Sequence, residues 1–64
     1  MASFHVAQAI RLRRDCIFMD GAMLKAGHVG VVLDVYPDGE SYQVKFVSRE
    51  PPEQMRAEEL QPYA

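Results

Sequence analysis

The sequence predicts a small all-β domain of four to five antiparallel strands closed on themselves into a barrel. Three observations carry that expectation. Apolar and polar residues alternate at a period of two from Val29 to Tyr36 and again from Ser41 to Ser48. The Pro37-Asp38-Gly39-Glu40 segment between them has turn chemistry, because proline sets φ and the Asp-Gly pair tolerates positive φ. A chain of 64 residues holds so few strands that an open sheet would leave one face wet and its edges unpaired.

Residues 1–5 read as a flexible N-terminal arm and residues 6–64 as one domain. In the first periodic stretch, Val6, Ile10 and Leu12 share one strand face and Arg11 and Arg13 the other. A helical reading of residues 2–14 competes, since Ala7, Ala9 and Leu12 favour helix, and the sequence leaves the two open. Alternation fails over residues 14–27, where Asp20-Gly21 and Ala26-Gly27 break it. This stretch reads as a long loop that folds back on the core, with Ile17, Phe18, Met19, Met23 and Leu24 supplying apolar groups.

In the strongest strand, Val29, Val31, Leu33 and Val35 are expected to point inward, and Gly30, Val32, Asp34 and Tyr36 outward. Gly30 marks a bulge or a close backbone approach. In the following strand Tyr42, Val44 and Phe46 face one way and Gln43, Lys45 and Val47 the other, so residues 29–48 form a hairpin. Pro51 and Pro52 end it, having no N–H for a ladder. Residues 54–57 can add a short strand with Met55 inward. Residues 57–60 suit one turn of 3-10 or α-helix that brings Leu60 to the barrel end, and residues 61–64 leave room for a last pairing. The expected core is Ile10, Leu12, Ile17, Leu24, Val29, Val31, Leu33, Tyr42, Val44, Phe46, Met55 and Leu60.

A chain of this length buries only about 60% of the surface its unfolded form exposes, so small domains often add a disulfide, a metal or a partner subunit. The single Cys16 excludes an internal disulfide, and His5 and His28 lack metal-ligand spacing. A tightly packed core or self-association remains. The formal charge is −2 with both signs interspersed, which disfavours nucleic acid as a partner. No apolar run approaches the ~20 residues that span a bilayer. Met1 to His5 lacks the basic start and apolar core of a signal peptide, so a cytoplasmic location is expected.

The stretch from Leu24 to Val32, with Lys25, Gly27 and Gly30, followed by Val35-Tyr36, Gly39 and Tyr42-x-Val44-x-Phe46, resembles a family of short uncharacterised bacterial proteins. The likeness covers residues 10 to 62. It implies an SH3-like barrel, sometimes encoded near toxin–antitoxin or mobile-element genes, and implies no activity. The Gly27-x-x-Gly30-x-Val32 start also looks like KOW and Tudor-type barrels. Pro51 and Pro52 depart from the family pattern, which more often has Gly or Asp there. A second likeness is to plasmid-borne type II dihydrofolate reductase, another short barrel, which works as a tetramer around one pore. Its Val-Gln-Ile-Tyr pore motif falls on Glu53-Gln54-Met55-Arg56, where Gln54 alone matches.

Val32, Tyr36 and Val47 on the outer face of the hairpin, with Met19 and Met23 in the long loop, are the candidate protein-interface residues, since an exposed apolar patch with a polar rim often marks an interface. Arg11, Arg13, Arg14 and Lys45 are the candidate nucleic-acid contacts. Tyr42 lies in the core register, and Cys16 reads as a small core filler. No nucleophile–base pair, phosphate loop or cofactor motif is legible, so no residue is assigned to catalysis, cofactor or metal. The expected function is a non-enzymatic binding module for a partner protein or a second copy of the chain. Nucleic-acid binding is the alternative, and a pore enzyme of the reductase type is the remote one.

Overall fold

The structure, a computed structural model, describes residues 3–63. It is all-β, as expected. The strands are β1 (Ala9–Leu12), β2 (Cys16–Ile17), β3 (Met23–Leu24), β4 (Val29–Val35), β5 (Ser41–Phe46), β6 (Glu53–Arg56) and β7 (Leu60–Pro62), with a 3-10 turn over Ala57–Glu59. Five of them form one antiparallel sheet in the order β6-β5-β4-β1-β7, and β2 and β3 pair as a separate ribbon. The first segment is therefore strand, not helix. The long loop expected over residues 14–27 carries this ribbon.

The connection from β6 to β7 forces the sheet to curl. These two strands are its opposite edges. A flat five-stranded sheet would hold them about 19 Å apart at ~4.8 Å per strand. Arg56 and Leu60 end and begin them, and four residue steps reach at most about 14 Å. The end of β6 and the start of β7 are therefore drawn together across the 3-10 turn, although β6 and β7 are not hydrogen-bonded neighbours in the sheet.

Ile10, Leu12, Val32, Tyr42, Val44, Phe46, Met55 and Leu60 fill the inside of this curl, joined by Cys16 and Phe4. Phe4 falls in the stretch expected to be a loose arm. Its ring instead lies edge-on to Tyr42 at 5.4 Å. The Tyr42 hydroxyl accepts the N–H groups of Ser3 at 2.7 Å and Phe4 at 3.1 Å, which gives a buried phenol its polar partners. Val6, expected on the inward face, is 54% exposed. The backbone turns at Ala7, which has a φ of 73° and donates to the Val32 carbonyl at 2.7 Å.

The main correction concerns β4. Val32, expected outside, is fully buried, while Leu33, expected inside, is 41% exposed. Val29 and Val31 are half-buried on the outer side. The register explains this. Gly30, Val31 and Val32 stand opposite Phe46, Lys45 and Val44, but Asp34 and Val35 stand opposite Gln43 and Tyr42. Leu33 is the extra residue of a β-bulge, and a bulge reverses which residues point inward. Before it Gly30 and Val32 face the core; after it Val35 does. Gly30 sits where a Cβ would stand 2.9 Å from both the Phe46 Cδ1 and the Val44 Cγ1, so only glycine lets the two strands close over the core here.

Replacing Val32 with Ala should cost roughly 2–3 kcal/mol, from lost apolar burial plus the cavity left behind. Leu33→Ala should stay within about 0.5 kcal/mol of the parent. Chemical denaturation of both variants checks this, and the order would reverse if β4 kept one phase throughout.

Candidate functional site

The outer side of the sheet carries an apolar surface that follows from the β4 register. Ala9 pairs with Val31 and Val31 with Lys45, forming one cross-strand row. Arg11 pairs with Val29, and the Val47 N–H donates to the Val29 carbonyl at 3.2 Å, forming the next. Ala9, Val29, Val31 and Val47 thus adjoin, with Lys45 and Arg11 at opposite corners. They line a shallow depression of about 310 Å³ whose exposed surface is entirely apolar, with Gly30 and Phe46 contributing from beneath. Val47 is 79% exposed, as expected. Val32, expected beside it, is inside, and Val29 and Val31 take its place. Neither is legible as an outer residue in the sequence, because a single phase along β4 places both inward and the bulge that shifts it is a relation between strands.

A second surface lies on the ribbon. Ile17 and Met23 are cross-strand partners, and both are exposed, as is Met19 at the turn. Met19 and Met23 meet the expectation of exposure; Ile17, expected in the core, corrects it. Alternation within the ribbon explains the difference, since Cys16 is buried and Phe18 and Leu24 pack on the core. The Phe18 and Phe46 ring centroids are 6.4 Å apart.

Arg49 clasps the ribbon to the sheet. Its guanidinium lies 4.3 Å from the Phe18 ring centroid and bridges Asp20 at 3.0 Å and Glu53 at 2.7 Å, and only 12% of its side chain is exposed. It therefore holds the ribbon turn against the start of β6. The carboxyl of Asp20 sits below its ordinary range, chiefly because the Ala22 N–H bonds it and then because Arg49 does. Asp38 organises the β4–β5 turn in the same way. It accepts the N–H groups of Glu40 and Ser41 and the Ser41 hydroxyl, which also depresses its pKa, the Glu40 N–H contributing most.

The remaining sequence candidates are dispersed. Tyr36 is half-buried beside the turn. Arg11, Arg13 and Arg14 are exposed and make no ion pair among the described residues, whereas Lys45 is paired with Glu50. Cys16 is buried, and burial followed by the nearby Glu59 carboxylate raises its thiol pKa, so it stays protonated and unreactive at neutral pH.

The fold also unites His28 and Ser48, whose Nε2 and Oγ are 2.6 Å apart. Counting the hairpin register one step beyond Val29 and Val47 would have found this pair. No carboxylate orients the imidazole among the described residues, so the pair lacks the third group of a nucleophilic triad. No group of three or more metal-ligating side chains occurs among the described residues, and no helix is long and apolar enough to cross a membrane. Comparison with known proteins finds no matching family model, curated protein or solved structure.

Asp20 and Asp38 have depressed folded-state pKa values, so their contribution to stability is complete above the ordinary carboxylate value of 3.8 and is lost as pH falls below it. Thermal melts should show the parent losing stability as pH drops from about 5 toward 2. The Asp20→Asn/Asp38→Asn double variant should be less stable at neutral pH and show a shallower acid loss. Equal acid slopes would refute this.

Proposed function

We propose that this chain is a non-enzymatic binding module that docks a protein surface against the outer face of β1, β4 and β5. The observation that supports it is the contiguous apolar patch of Ala9, Val29, Val31 and Val47. The core is already closed by residues on the other face, so folding alone does not require three valines to remain outside. A patch of this kind rimmed by Arg11, Lys45 and Glu50 has the apolar centre and polar margin of an interface.

A second copy of the chain is the first partner to test. Three routes to self-association compete: edge pairing at β6, edge pairing at β7 and face packing. Both sheet edges carry a proline beside or within the strand, Pro52 at β6 and Pro62 at β7, which disfavours continuous edge-to-edge pairing of two copies and favours the face.

Nucleic-acid binding through Arg11, Arg13 and Arg14 is the second reading. It is favoured by the absence of carboxylate partners for these three side chains among the described residues. It is weakened by the tie between Lys45 and Glu50 and by the net charge of −2.

Sedimentation velocity across micromolar to millimolar concentration should show the mass rising toward that of a dimer. Val47→Asp should restore the monomer while changing stability by no more than about 0.5 kcal/mol, because the side chain is largely exposed. A monomer at every concentration would defeat self-association, and a salt-sensitive mobility shift with RNA or DNA would favour the arginine reading.

A further inference from the structure

The open edge of β6 is protected at every position but one. The Tyr36 N–H donates to the Ser41 carbonyl at 2.9 Å, and the Ala57 N–H to the Glu40 carbonyl at 2.8 Å. Ser41, Gln43 and Lys45 therefore bond toward β4, while Tyr42 and Val44 bond toward β6. Their partners Met55 and Glu53 turn inward in the ladder, so Pro52, Gln54 and Arg56 turn their backbone groups to the open side. Pro52 has no N–H, and the Arg56 N–H donates to the Glu59 carboxylate at 2.9 Å. Among the described residues, Gln54 alone on this side offers both an N–H and a C=O.

At β7 the corresponding positions are Leu60, whose N–H returns to the Ala57 carbonyl, and Pro62, which has none. Among the described residues, Gln54 is thus the one gap in an edge that is otherwise blocked.

That gap opens on a cleft. Ile17, Phe18 and Met19 form one wall, Glu53, Gln54 and Met55 the other, and Glu59 closes an end, around about 320 Å³. Ile17 and Met19 are 75% and 106% exposed, an unusual display for a ribbon held down from beneath by Phe18 and Arg49. The polar lining is acidic: Glu53, whose carboxylate also meets the Arg49 guanidinium, and Glu59 both face the cleft.

We propose that this cleft receives an extended segment of a partner protein that adds antiparallel to β6 at Gln54, with an apolar side chain beside Met55 and a Lys or Arg beside Glu53. Residues facing Met55 and Glu53 lie two apart on the incoming strand and point to the same side, so the recognised pattern is apolar-x-basic. The backbone pairs at one residue, the exposed Ile17 and Met19 cover the apolar side chain, and the carboxylates of Glu53 and Glu59 take the cation. This site is separate from the outer sheet face and does not depend on it.

The probe is the peptide acetyl-Ser-Val-Thr-Lys-Ser-amide, titrated into the isotopically labelled full chain and followed by NMR. Saturable shifts are expected at the Gln54 amide and the Met19 and Met55 methyls. Replacing the peptide lysine with glutamate, or methylating the threonine nitrogen, should each weaken binding about tenfold, one by removing the charge match and the other the hydrogen bond to the Gln54 carbonyl. Val47→Asp should leave the titration unchanged, which separates this site from the outer face. No shifts at millimolar peptide, equal responses to all three peptides, or shifts confined to Val29 and Val47 would each overturn the proposal.

Discussion

The bulge at Leu33 decides which side chains this domain keeps and which it displays. Before it, β4 sends Gly30 and Val32 inward; after it, Val35. Without the extra residue, Val32 and Val35 could not both face the core, because a strand alternates strictly. The bulge reconciles the β1 pairing at Ala9 and Arg11 with the β5 pairing at Gln43 and Tyr42. It also places Val29 and Val31 outside, and the apolar outer face is a consequence of that choice.

Two further contacts complete so small a core. At the N-terminal end, the Tyr42 hydroxyl and the Phe4 ring draw residues 3 and 4 onto the sheet. On the opposite flank, Arg49 binds the ribbon through Phe18 and Asp20. Neither is a metal or disulfide. Both let segments with little regular pairing contribute apolar area, which a chain of this size needs. The Arg49 contacts also tie the ribbon to the sheet, so Ile17 and Met19 are displayed on a clasped surface.

Most of the strand plan was legible because period-two alternation and turn chemistry are local. β5 has one phase throughout, and Tyr42, Val44 and Phe46 are inward as read. The turn at Asp38, the 3-10 turn over Ala57–Glu59 and the inward Met55 and Leu60 were legible for the same reason. The phase of β4 was not. With valine at positions 29, 31, 32 and 35 either face could be the inner one, and the register that decides is a relation between strands distant in sequence. Phe4 and Ile17 were misplaced for a related cause: one is buried by a tyrosine 38 residues away, the other exposed by a two-residue ribbon too short to show a period. The Gln54 edge was invisible because hydrogen-bond direction appears only once the ladders are assembled.

Methyl-to-methyl and methyl-to-aromatic nuclear Overhauser contacts within β4 test the central claim most directly. The bulge predicts strong contacts from the Val32 methyls to Val44 and Ile10, and from Val35 to Tyr42, with none from Leu33 to the core. Contacts from Leu33 and Val31 to Phe46 and Leu60, with Val32 silent, would contradict it and would dissolve the outer apolar face along with the register.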